Sequence, residues 1–288
     1  MHPAAPDQQA PDASGTAQLP ERPFLKWAGG KFRLLPRIFA ALPQGRRLIE
    51  PFTGSAAVAI NAPYGRVFAA DANADLVGLY RAVQQAPEAM AAAVSALFTP
   101  ETNTPEAYNQ LRAEFNASPP GERRAALFVY LNRHGYNGLC RYNAGGGFNV
   151  PFGRYVAPQP PIAAMRAFAR RTAHVAFACH GFEASFAQAA PGDVIYCDPP
   201  YVPLSPTASF TSYAADAFGP AEQRRLAELA RAAAARGVPV VISNHDTPEA
   251  RSLYAGAEIH SFGVDRRISS KAETRGEARE LLAVFRPG

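Results

Sequence analysis

RRLIEPFTGSAAVAINAPYGRVFAADAN, residues 46–73, decides the fold. RRLIEPF is a short apolar run that Pro51 must stop, because proline brings no N–H to a sheet ladder. TGSAAVAIN turns the chain on small residues and predicts the start of a helix. RVFAAD is a second short apolar run, ending in the acid of DAN, Asp71–Asn73. Two buried strands joined by a helical crossover are the repeating unit of a parallel α/β sheet.

The same rhythm extends outward. Upstream, FLKWAGGKFRLLPRIFAAL predicts a glycine turn entering a helix with Leu34, Leu35, Ile38, Phe39 and Leu42 on one side. Downstream, DLVGLYRAVQQAPEAMAAAVSALF is helical, and the alternation breaks after about residue 82. Residues 84–131 read as mostly helical and lead into HGYNGLCRYNAGGGFNVPFGRYVAP, rich in Gly, Asn and Tyr, where NAGGGF fits a hairpin or a mobile loop. Alternation resumes with the strand HVAFAC, a helix through EASFAQAA, the strand DVIYC, a helix from about Ala221 to Ala235 and the strand VPVVISN. EIHSFGV and ELLAVF follow, the latter as a pairing strand at the sheet edge. The expected division is a disordered leader (1–20), one α/β domain in two parts (21–82 and 163–288) and an inserted module (83–162).

Composition narrows the function classes. With 48% apolar residues in 288 the chain can bury a substantial core, and it has no apolar run of membrane-spanning length. The start of the chain lacks the basic and apolar blocks of a signal peptide. Three scattered cysteines, Cys140, Cys179 and Cys197, suit reduced cytosolic thiols better than a disulfide framework or a zinc site. His134, His174 and His180 lack metal-site spacing. The net charge of +5 is concentrated: Arg123, Arg124, Arg133, Arg141, Arg154, Arg166, Arg170 and Arg171 stand against the single acid Glu122 between residues 121 and 171. That excess suits a polyanion, or a solvated basic face.

CDPPY, residues 197–201, follows DVIY and places an acid, two prolines and a phenol just past a buried strand end. Such a corner suits an exocyclic amine on a flat base. The amine's lone pair is shared with the ring, so attack on a methyl group needs acceptors for its two N–H bonds. Asp198 and the Pro199 carbonyl are those acceptors, and Tyr201 offers a stacking face. Asp198 need only accept a hydrogen bond late in the transfer; proton removal by Asp198 itself stays open. The Pro51–Gly54 turn and Asp71 suit a cofactor with a ribose and no pyrophosphate, although EPFTGSAA alone is equally a plain tight turn. Lys31 of WAGGK suits either a ligand carboxylate or the organisation of nearby acids. A base within a duplex must be extruded to reach CDPPY, and Tyr136 and Leu139, flanking Asn137, are candidates to fill the gap. Arg141 is a candidate reader of guanine N7 and O6. Ser243, His245 and Asp246 of SNHDT do not form a hydrolase triad, because no G-x-S-x-G elbow supports them.

Taken together, WAGGK, EPFTGSAAV, DAN, YLNRHGYNGLCRYNAGGGFNVPFGRY, CDPPY, ISNHDT, RRISS and ELLAVFRPG resemble the Dam-family DNA adenine-N6 methyltransferases. The resemblance covers roughly residues 22–288. It implies a Rossmann-like S-adenosylmethionine-dependent methyltransferase sheet with an inserted, mainly helical target-recognition domain carrying a hairpin loop. It implies S-adenosylmethionine as cofactor, held by Trp27, Lys31, Pro51, Gly54, Asp71, Phe182 and Asp198, and a catalytic corner of Asp198, Pro199 and Tyr201. Double-stranded DNA, probed at GATC, is the implied partner, contacted by Arg133, Tyr136, Asn137, Leu139, Arg141 and Arg154. No metal, membrane or obligate protein partner is expected, and a monomer or weak dimer in a bacterial or phage cytoplasm would suffice. NAGGGFNV is less charged than the family's hairpin, which loosens the expected preference for flanking sequence. An RNA or free-nucleoside methyltransferase would keep CDPPY and Asp71 without needing the 130–155 block. An inactive DNA binder should have eroded WAGGK, Asp71 or DPPY, and a dehydrogenase lacks its glycine fingerprint here.

Overall fold

A computed structural model describes residues 19–202, 218–264 and 278–288. RRISSKAETRG, and all but the last two residues of the expected leader, lie outside the described residues. Seven strands form one sheet: β1 (Arg47–Glu50), β2 (Val67–Asp71), β3 (Val175–Cys179), β4 (Asp193–Cys197), β5 (Val240–His245), β6 (Glu258–Val264) and β7 (Ala278–Phe285). Their order is β3-β2-β1-β4-β5-β7-β6, with β1 to β5 parallel and β7 antiparallel to both its neighbours. ELLAVF therefore lies inside the sheet between β5 and β6, and β6 forms the edge. The sequence reading had the pairing but not this order, since two consecutive strands of similar apolarity leave the insertion point undetermined.

Strand alternation builds two cores. Leu48, Val194, Tyr196, Val241 and Leu282 face one buried cluster, while Ile49, Ile195, Cys197, Ile242 and Leu281 face the other. The second cluster is closed by α7 (Phe182–Ala187), α8 (Pro220–Ala235) and α9 (Pro248–Leu253). Through Leu226, Ala227, Ala230 and Ala233, α8 presents an alanine-rich stripe that lets it lie close on the sheet. The first cluster holds α1 (Leu35–Ala41), α2 (Ala74–Gln85) and α6 (Ile162–Arg171), and continues without a break into α3 (Pro87–Ser95), α4 (Pro105–Ala117) and α5 (Glu122–His134). From Ala125 to Asn132, α5 is buried on every side, as its run AALFVYLN requires.

Residues 53–61 differ from the sequence reading. TGSAAVAIN forms successive turns and no helix. Gly54 (φ +47°) and Ala56 (φ +60°) are left-handed, which interrupts a right-handed helix at its start. NAGGGF is a hairpin: Asn143 N–H donates to the Gly147 carbonyl, and the Asn143 carboxamide accepts from the N–H groups of Gly145 and Gly147. The far arm is fixed to α4, where Asn116 both donates to and accepts from the Phe148 backbone.

Candidate active site

The parallel strands β1, β2, β4 and β5 place their carboxyl ends along one edge of the sheet, the edge at which such sheets bind ligands. Asp198 emerges just beyond β4. Its Oδ1 lies 3.0 Å from Lys31 Nζ and accepts from Ser243 Oγ at 2.8 Å. Both contacts fall on Oδ1, so Oδ2 accepts no hydrogen bond from the described residues, and 20% of the side chain remains exposed. Burial raises the Asp198 pKa, against the opposing pull of Lys31 and Ser243. The Pro199 carbonyl also accepts no hydrogen bond from the described residues.

Several residues stiffen this corner. Gln223 of α8 donates to the Pro200 carbonyl at 2.6 Å, and Asn244 of β5 accepts from Val202 N–H at 2.9 Å. Asn244 is itself held by Tyr254 Oη, and the Tyr201 hydroxyl donates to Glu280 of β7 at 3.0 Å. Lys31 Nζ sits 4.6 Å from the centroid of the Tyr201 ring, and His245 meets that ring edge-on. Lys31, which sequence left between two roles, contacts both Asp198 and the Tyr201 ring through a buried ammonium that also donates to the Gly29 carbonyl. Ser243 serves Asp198, whereas Asp246 pairs with Arg251 and Arg279, so the two do not converge.

The next strand ends carry two further acids. Asp71 closes β2 and takes Gly54 N–H on Oδ2 at 3.0 Å and Asn73 N–H on Oδ1 at 2.9 Å. Burial raises its pKa against those backbone donors. Trp27 packs on Gly54, where an added Cβ would come within 2.9 Å of Trp27 Nε1, so any side chain there would displace the indole. Pro51 is buried at the end of β1, and Phe182 stacks on Phe52 with Phe218 edge-on to both. Glu50, the last residue of β1, was missed. It is 2% exposed, and its Oε2 has no hydrogen-bond partner among the described residues. Burial first, then the nearby charges of Asp198 and Asp71, push its pKa well above the usual carboxylate range. A buried acid directly preceding Pro-Phe-x-Gly was the available signal.

On the other side, Asn132 of α5 ties the segment before Trp27 to the inserted module. Its Oδ1 accepts from Lys26 N–H, and its Nδ2 donates to the carbonyls of Lys26 (2.7 Å) and Gly138 (3.1 Å). Tyr136 is 52% exposed, and Asn137 beside it is left-handed at φ 54°, a conformation asparagine tolerates. Leu139, by contrast, packs half-buried on the core. Lys26, also missed, has Nζ 3.9 Å from the Tyr155 ring centroid and near the Arg133 carbonyl. Burial lowers its pKa, and the Arg133 charge lowers it further. Arg154 is exposed and left-handed, and Arg141 donates to the Asn149 carboxamide and carbonyl on the hairpin. Of the arginine excess, Arg123, Arg124 and Arg166 are spent on ion pairs with Glu114, Asp75 and Glu88. Among the described residues, Lys26, Arg133, Arg141 and Arg154 have no acidic partner, and buried Arg133 Nε has no partner at all.

Comparison with known proteins agrees with this geometry. Residues 27–268 match the family described as D12 class N6 adenine-specific DNA methyltransferase. The chain is 49% identical over 267 residues to the DNA adenine methylase of Escherichia coli (strain K12), covering 93% of this chain and 96% of that protein. It is 48% identical to the DNA adenine methylase of Salmonella typhi, with the same coverage, and 44% identical to that of Vibrio cholerae serotype O1 (strain ATCC 39541 / Classical Ogawa 395 / O395), covering 93% and 97%. The chain belongs to the D12 class of N6 adenine-specific DNA methyltransferases.

Proposed function

We propose that this enzyme methylates N6 of an adenine flipped out of a GATC site in double-stranded DNA, with S-adenosylmethionine as methyl donor. The observation that carries the reading is the asymmetry of Asp198, with Oδ1 fixed by Lys31 and Ser243 while Oδ2 and the Pro199 carbonyl accept no hydrogen bond among the described residues. Those two acceptors take the two N–H bonds of the adenine amine and turn its lone pair out of conjugation. Lys31 helps keep Asp198 ionised, and a carboxylate accepts more strongly than a neutral acid. The bound cofactor supplies a methyl group made electrophilic by its sulfonium. The residues present fit it: Glu50 Oε2, unpartnered among the described residues, suits its cationic amino group, Asp71 suits the ribose hydroxyls, and Phe182 and Trp27 offer flat apolar surface. Pro51 and Gly54 shape the turn between them. Tyr136 and Asn137 occupy the space of the extruded base, with Leu139 supporting them from below. Arg141 reads guanine, while Arg133 and Arg154 hold phosphate together with Lys26. Residues 83–162 form the target-recognition module.

The test is Asp198→Asn under single-turnover conditions, with cofactor and duplex dissociation constants measured alongside. Losing one charged acceptor in the transition state is expected to slow transfer about 10²- to 10³-fold while both dissociation constants hold within about threefold. Unchanged transfer, or a loss explained by weaker binding, would contradict the assignment.

A further inference from the structure

The near arm of the hairpin, which carries Arg141, is tied to the first turn of α2, immediately after Asp71. Tyr142 Oη donates to Asp75 Oδ2 at 2.7 Å. The same carboxylate takes Arg124 Nε on Oδ1 at 2.5 Å and Arg124 Nη2 on Oδ2 at 3.0 Å. Arg124 is fixed in turn by the carbonyls of Phe115 and Ser118 and by the Phe115 ring. Two residues before Asp75, Asn73 caps α2 through Asp75 N–H and Leu76 N–H, and its Nδ2 reaches Cys140 Sγ at 3.5 Å. Asn73 N–H is held by Asp71 Oδ1. Burial keeps the Tyr142 phenol protonated, so its hydroxyl remains a donor.

These contacts form an unbroken chain from the strand-end acid to both neighbours of Arg141. The far arm is anchored through Asn116 to Phe148 and through Tyr108 and Arg112 to the Val150 carbonyl. Among the described residues, the near arm makes the direct side-chain tie to Asp75, which the far arm reaches only indirectly, through α4 and Arg124. We propose that Asp75 and Tyr142 are positioning residues that couple cofactor occupancy to base discrimination by the hairpin. The proposal rests on Asp71 serving the cofactor and Arg141 reading a base. A ligand on Asp71 fixes Asn73 and the start of α2, and the Asp75–Tyr142 clip then fixes the backbone that carries Arg141, whose guanidinium rests on Asn149 across the hairpin. Coupling of this kind is reciprocal, so the cognate duplex must tighten cofactor binding by the same factor.

Tyr142→Phe tests this gently, because Asp75 keeps both Arg124 bonds. The readouts are kcat/KM on GATC duplexes against duplexes altered at one base pair, and S-adenosylhomocysteine affinity with and without GATC duplex. The expected result is unchanged affinity without DNA, a roughly fivefold or larger fall in discrimination, and loss of the duplex-induced tightening. Discrimination and tightening both at wild-type values would overturn the proposal, as would an equal rate loss on every duplex. Wild-type protein that methylates all duplexes alike would overturn the base-reading assignment itself, whatever the variant does.

Discussion

At the scale of single residues, the site is governed by three strand-end acids brought together with less compensation than charge requires. Glu50 is the extreme case. Its pKa is raised in the folded protein, so its stabilising contribution is complete below the unfolded carboxylate pKa and is lost as pH rises through the higher folded value. Glu50→Gln is therefore expected to raise the melting temperature of the ligand-free protein at neutral and alkaline pH. The same change is expected to weaken cofactor binding by about tenfold or more, through loss of a charge-assisted contact. Thermal melts with and without S-adenosylmethionine check both; a variant with undiminished cofactor affinity would remove Glu50 from the site. Asp198 gives a kinetic counterpart. Its raised pKa puts the acid limb of the rate profile above the ordinary carboxylate range, and Lys31 lowers that pKa. Lys31→Met is expected to move the limb to still higher pH, read from single-turnover rates; movement toward lower pH would reverse the assigned sign.

At the scale of elements, the side chains that join segments matter more than the segments' own propensities. Asn132 is buried in α5 and holds Lys26 and Gly138 by three hydrogen bonds. Asn132→Ala strands those backbone groups without water, at a cost of about 2–3 kcal/mol, which denaturant melts would register. A change within experimental error would mean that the segments are held by other contacts. Such long-range ties also mark the limit of the sequence. The strands, the helical character of residues 84–131 and a turn at NAGGGF, hairpin or loop, were legible because apolar period and glycine-rich turn chemistry are local. The turns at 53–61 were not, since Ala56 adopts a left-handed conformation that nothing in its own residue type announces. CDPPY was readable as a corner because prolines end a strand locally. Its supports, Gln223, Asn244, Ser243 and Glu280, come from other elements and appear only once β5 is seen to flank β4, β7 to flank β5, and α8 to reach the Pro200 carbonyl.

At the scale of the whole molecule, one continuous buried cluster runs from the sheet into the inserted helices, and Lys26, just before WAGGK, lies beside Arg133 of that module, neither with an acidic partner among the described residues. Salt dependence of duplex binding should reflect this. Lys26→Ala and Arg154→Ala are each expected to reduce the slope of log affinity against log salt by about 1, with similar losses on cognate and non-cognate duplexes for a phosphate contact. An unchanged slope would place either residue away from phosphate. The most direct measurement is transfer of labelled methyl from S-adenosylmethionine to matched duplexes carrying GATC, GTAC or neither, with Asp198→Ala as control. Label on adenine N6 in the GATC duplex alone, absent with the variant, is the expected result. Label on every adenine-containing duplex, or on none despite folded protein that binds cofactor, would contradict it.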